Sequence, residues 1–211
     1  MPFFISKDEG FFCVAEDLVT HKLSEDSNEY KFRPWRSVSG NLNEYNFLDF
    51  PLLPGSHMEV HCSPILHDGI YSLAYNRNIY TKTANSEWSN IPTYVWQGYR
   101  DQSGLNYVIA NKCYINSKEI ALPIDIHIYR ICPYGKHFII TGMIKRKLVS
   151  LFYDGRQFAE ITANGRSVYK CSIADDILFH SIAEDEKDKE TYKIHQTTNF
   201  NFDYNSEIFQ P

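Results

Sequence analysis

The sequence predicts an all-β fold, a small β-propeller of about five blades built from short antiparallel meanders, with a β-sandwich or barrel as the alternative. Three observations carry that expectation. Fifteen Tyr and fourteen Phe in 211 residues supply large side chains that suit a pleated, half-buried surface better than a helix. Turn pairs that tolerate positive φ, Asp154-Gly155 and Asn164-Gly165, sit between apolar runs and are strong hairpin signals. A polar turn followed by an apolar strand recurs along the chain, as expected of repeated blades.

That recurrence starts at Gly10-Phe11-Phe12-Cys13-Val14-Ala15. It returns at Asp68-Gly69-Ile70-Tyr71-Ser72-Leu73-Ala74 and at Gly104-Leu105-Asn106-Tyr107-Val108-Ile109-Ala110. Two more copies are Gly135-Lys136-His137-Phe138-Ile139-Ile140-Thr141 and Asp175-Asp176-Ile177-Leu178-Phe179-His180-Ser181. The later steps are roughly the 40 residues of a four-stranded blade. Strand windows are read at Phe11–Ala15, Ile70–Tyr75, Asn78–Thr83, Thr93–Trp96, Leu105–Ala110 and Ile124–Ile131. They continue at His137–Met143, Lys147–Tyr153, Gln157–Thr162, Ser167–Ile173 and Ile177–Ala183. The run Ile124-Asp125-Ile126-His127-Ile128-Tyr129 alternates apolar and polar, as a half-buried strand does. Lys147–Ile173 reads as a three-stranded meander around the two turn pairs.

The whole chain, 1–211, reads as one all-β domain. The interval from Gly10 to Gly69 exceeds one repeat, and residues 33–57 carry Pro34, Pro51, Pro54, Gly40 and Gly55, so they read as an inserted loop. That loop offers Arg33, Trp35 and Arg36. Together with Trp88, Tyr99 and Arg100 they form the candidate binding residues, because exposed Trp, Tyr and Arg dominate protein interfaces. Trp96, inside an apolar window, reads as core.

Net charge is −5, and the one compact basic run, Lys145-Arg146-Lys147, lies between apolar windows and reads as a solvated hairpin turn. Nucleic acid is therefore not an expected partner. Cys13, Cys62, Cys113, Cys132 and Cys171 are odd in number and unclustered, which predicts five free thiols in a reducing compartment. No apolar run approaches membrane-span length, and the first residues lack the basic and apolar regions of a signal peptide. The expected location is cytoplasmic, or virion if the chain is phage-encoded. The mixed run Glu184–Glu190 reads as an exposed tip.

No GxSxG, GxxxxGK[ST] or GxGxxG motif is present. His57, Glu59 and His61, with His67 as a further ligand, share a strand-like spacing but match no metal motif, so neither a metal nor a cofactor is expected. The stretch from Cys62-Ser63-Pro64-Ile65-Leu66-His67-Asp68-Gly69 to Tyr75 resembles the blade opening of the five-bladed glycosidases. That resemblance implies a propeller fold and places Ser63 where the family has a catalytic aspartate. A hydroxyl cannot replace that carboxylate as base, so the resemblance implies no turnover. The expected function is a non-enzymatic binding or structural protein acting through protein–protein contacts, such as a phage virion component or a toxin-neutralising immunity protein. Its partner would be another protein, a basic one included, or further copies of itself. A glycan-binding lectin is the alternative, and a glycoside hydrolase-like enzyme the second.

Overall fold

Apolar–polar alternation interrupted by turn residues drives the chain into short antiparallel strands, because each strand buries one face and each turn reverses it. The computed structural model describes residues 63–181 apart from 76, 93, 94, 96, 110 and 175, residues 194–210, and the strand backbones at 3–6, 10–16, 30–37, 45–47 and 53–55. Among the described residues every regular element is a strand except the 3₁₀ turn Glu207–Phe209. None of these residues forms a helix long and apolar enough to cross a membrane. The chain divides into two compact units, Met1–Gln102 and Ser103–Pro211.

The first unit holds β1 (Phe3–Ser6), β2 (Gly10–Glu16), β3 (Tyr30–Ser37), β4 (Tyr45–Phe47) and β5 (Leu53–Gly55) in one antiparallel sheet. A second meander runs β6 (Ser63–His67), β7 (Ile70–Tyr75), β8 (Asn78–Thr83) and β9 (Ser89–Pro92), and β10 (Gln97–Arg100) follows. Asp68 and Gly69, at φ 53° and 72°, make the β6–β7 turn. Ile65, Leu66, Leu73, Ala74 and Ile79 form the core of the second meander. Ser72 is buried among them, where a hydroxyl needs partners. Its Oγ accepts from the Arg100 amide at 2.9 Å and donates to the Arg100 carbonyl at 3.5 Å, which pins β10 to β7.

In the second unit, β11 (Leu105–Ile109), β12 (Lys112–Ile115) and β13 (Lys118–Ile120) run antiparallel in succession. A larger sheet follows: β14 (His127–Tyr134), β15 (His137–Ile144), β16 (Lys147–Tyr153), β17 (Phe158–Ala163) and β18 (Arg166–Ser167). The last meander is β19 (Tyr169–Ala174), β20 (Ile177–Ser181) and β21 (Ile194–Thr197). Finally β22 (Phe200–Asp203) returns to pair with β17. Ile131, Ile139, Ile140, Val149, Leu151, Ile161, Cys171 and Leu178 are fully buried, each large aliphatic side chain contributing about 1.5–3 kcal/mol relative to exposure.

The fold is all-β and of the small-propeller type that the sequence predicts. The recurring turn-plus-strand motif falls on β2, β7, β11, β15 and β20, and β2, β7, β15 and β20 are each the second strand of their meander. Several windows shift. The expected loop at 33–57 contains strand backbone: Arg33, Trp35 and Arg36 lie on β3, paired with β2 from Phe12↔Arg36 to Glu16↔Phe32. Its Pro34 fits a paired strand because the other side of β3 pairs β5 at 30–32 and β4 at 35–37. Pro34 lies opposite Val14 of β2 and, on the other side, in the gap between those two partner strands, and proline is tolerated where a ladder is interrupted. The window Thr93–Trp96 falls between β9 and β10, with Val95 buried outside any strand; Thr93, Tyr94 and Trp96 lie outside the described residues. The window at Ile124 starts pairing only at His127, and a bulge between Ile128 and Arg130 breaks its register. The third strand of the 147–173 meander is cut to Arg166–Ser167, and from Tyr169 the chain pairs with β20 instead.

The basic run is the expected turn, with exposed Lys145 and Arg146 at φ 47° and 70°. Cys113, Cys132 and Cys171 are free and buried. The side chains of Cys13 and Cys62 lie outside the described residues, as does the run Glu184–Glu190.

Candidate binding cleft

Three turns of the second unit converge on one open cavity of about 540 Å³. The first is the end of β13 and the segment after it, where Glu119, Ile120, Leu122 and Pro123 line the space. The second follows β16. Here the Asp154 carboxylate accepts from the amides of Arg156 at 2.8 Å and Gln157 at 2.9 Å, and the Asp154 amide donates to the Gln157 carbonyl at 3.2 Å. This is why Asp154-Gly155 makes a four-residue loop and not a two-residue hairpin: the aspartate side chain closes an Asx turn, and Gly155 takes φ 96°. The loop presents Arg156 and Gln157 to the cavity beside Tyr153 and Phe158.

The third turn follows β22. Asp203 accepts from the Asn205 amide at 3.0 Å, and Ser206 caps the 3₁₀ turn by accepting from the Ile208 amide at 3.3 Å. Tyr204 and Phe209 are thereby turned onto the cavity. Tyr204 is the one exposed large hydrophobic side chain among the described residues.

Buried Glu160 holds this third turn in place. It is 3% exposed and accepts from the hydroxyls of Ser167 and Ser206, with the Lys147 ammonium at 3.4 Å. A buried carboxylate without such donors would be costly. With them it ties the C-terminal turn to β17.

The two charged residues lining the cavity differ in availability. Glu119 accepts from Lys112 Nζ at 3.0 Å and from the Tyr114 hydroxyl at 3.3 Å, and that hydrogen bond raises the Lys112 pKa. Tyr114 in turn stacks on Tyr107, with centroids 4.8 Å apart. Arg156 is exposed, and its guanidinium makes no ion pair among the described residues. Asp154, beside it, has its pKa lowered, first by the Gln157 amide and then by that of Arg156. It stays ionised near neutral pH and is unsuited to donate a proton.

The residues singled out from sequence lie elsewhere. Tyr99 is 2% exposed and meets His67 edge-on at 6.0 Å, so it is core and not a contact residue. Trp88 is half-buried, and Arg100 is exposed with its backbone held by Ser72. Arg33, Trp35 and Arg36 share β3, and their side chains lie outside the described residues. Of the residues weighed as metal ligands, His57, Glu59 and His61 also lie outside them, whereas His67 Nε2 sits 3.7 Å from Asp68. Among the described residues no group of three or more His, Cys, Asp or Glu could hold a metal ion. Sequence reasoning missed Arg156, Tyr204 and Phe209. The Asp-Gly signal marked the turn that carries Arg156, but nothing local announces that Ile120 and Phe209 meet it.

Comparison with known protein families, curated proteins and solved structures finds no match to this chain.

Proposed function

We propose that this is a non-enzymatic binding protein that acts through protein–protein contacts, with the cleft of the second unit as its docking site. The observation that carries the reading is the gathering of Tyr153, Tyr204, Phe209 and an exposed Arg156 around one open cavity. Tyr and Arg are the residue types most often found at interface hot spots, and an apolar recess gives a partner's side chain a place to be desolvated. The neighbouring carboxylates support binding over catalysis. Asp154 closes a turn, Glu119 holds Lys112 and Tyr114, and Glu160 secures the C-terminal turn. Each has a structural occupation in place of an open reacting position.

A photo-crosslinking amino acid at position 204 tests this in the cells that make the protein, with position 88 as comparison. The reading expects a discrete protein adduct from position 204. Adducts from position 88 with none from 204 would move the docking site to the first unit.

A further inference from the structure

We infer that the cleft takes an extended peptide segment that pairs along β13 and combines an apolar side chain with a carboxylate. The inference rests on the protein-binding role proposed above and adds the chemistry of the segment.

Three observations lead to it. β13 pairs with β12 through Cys113↔Ile120, Tyr114↔Glu119 and Ile115↔Lys118, and with no other strand among the described residues. Its outer edge is therefore a row of backbone donors and acceptors able to accept an added strand. Two of its three residues, Glu119 and Ile120, line the cleft, so a segment laid on this edge passes over the cavity. The recess there is built from Ile120, Leu122, Phe158 and Phe209, which match an apolar side chain.

The charge follows from what is already paired. The Glu119 charge is paired with Lys112, and the same oxygen, Oε2, also accepts from Tyr114, whereas the Arg156 guanidinium is free among the described residues. Its planar fork fits a carboxylate with two parallel hydrogen bonds. A saccharide fits less well. It needs several side-chain donors and acceptors aimed at its hydroxyls, and beyond the two charged groups the lining offers Gln157 and the hydroxyls of Tyr153 and Tyr204, of which the Tyr204 hydroxyl already bonds Asp154.

The test is selection of a random twelve-residue peptide library on the purified full chain, followed by affinity measurement of the enriched peptides. The expected sequences carry Asp or Glu beside an apolar residue. Arg156→Gln should weaken them by up to about fivefold, as for loss of an exposed ion pair, at unchanged melting temperature. Arg156→Glu should redirect selection toward Lys and Arg. Enriched apolar peptides without an acidic residue, weakened by Tyr204→Ala but indifferent to Arg156→Gln, would overturn the carboxylate inference and leave the docking cleft standing. No enrichment over a scrambled-surface control, or saccharide binding lost in Tyr204→Ala, would overturn both.

Discussion

Gly142→Ala probes the tightest backbone approach in the second unit. Gly142 lies on β15 opposite Ile128 of β14, next to the bulge that re-aims Tyr129. A Cβ built there meets the His127 carbonyl oxygen at 2.4 Å, Ile126 Cγ1 at 2.8 Å and Ile126 Cδ1 at 2.9 Å. The first of these is backbone within a paired strand and cannot swing away as a side chain would. Relief requires β14 to move by most of an ångström, which disturbs its pairing with β15. Overpacking costs typically about 1–3 kcal/mol, and a clash with paired backbone belongs at the upper end, about 3 kcal/mol. For a chain of this size that lowers the melting temperature by roughly 6–12 °C. The sign is informative, because in an unhindered strand Ala is better than Gly by about 0.5–1 kcal/mol. Thermal and urea unfolding of the variant and the parent measure the difference. A variant within one degree of the parent, or above it, would refute the assigned register of β14 on β15.

Two further outcomes follow from local geometry. Arg146→Gly should stabilise the protein by about 0.5–1 kcal/mol, because Arg146 occupies φ 70°, a region costly for a residue with a Cβ and open to glycine; a loss of stability in urea unfolding would contradict that turn geometry. Burial pushes the Cys113 and Cys171 thiols up to about 12, so at pH 8 the reactive thiolate is scarce. Mass-spectrometric mapping after iodoacetamide treatment should find both residues unmodified in the native chain and modified in urea, and fast native labelling would contradict their burial.

The fold was legible where local chemistry and tertiary pairing agree. Asn164-Gly165 takes φ 50° and 72° because both residues tolerate it, and the windows Ile70–Tyr75, Asn78–Thr83 and Lys147–Tyr153 coincide with β7, β8 and β16. It was illegible where pairing overrides local signals. Pro34 reads as a loop residue, yet a gap between two partner strands admits it to β3. The alternation at Ile124–Tyr129 marks burial correctly, with Ile126 and Ile128 inside, but not where hydrogen bonding begins. The cleft is a product of long-range closure. Tyr204 and Phe209 reach it only because β22 pairs with β17 and Ser206 bonds Glu160, separations that no local pattern encodes. Tyr99 shows the converse: an aromatic beside an arginine resembles an interface pair in sequence, while strand alternation turns its ring into the core.

The most direct measurement of the central claim is amide hydrogen exchange of the full chain with and without the protein captured from position 204. The cleft account expects slowed exchange at 118–123, 155–158 and 204–209 on binding, with the edge amides of β13 protected most strongly. Protection confined to β3 and β10, with those three segments unchanged, would contradict it.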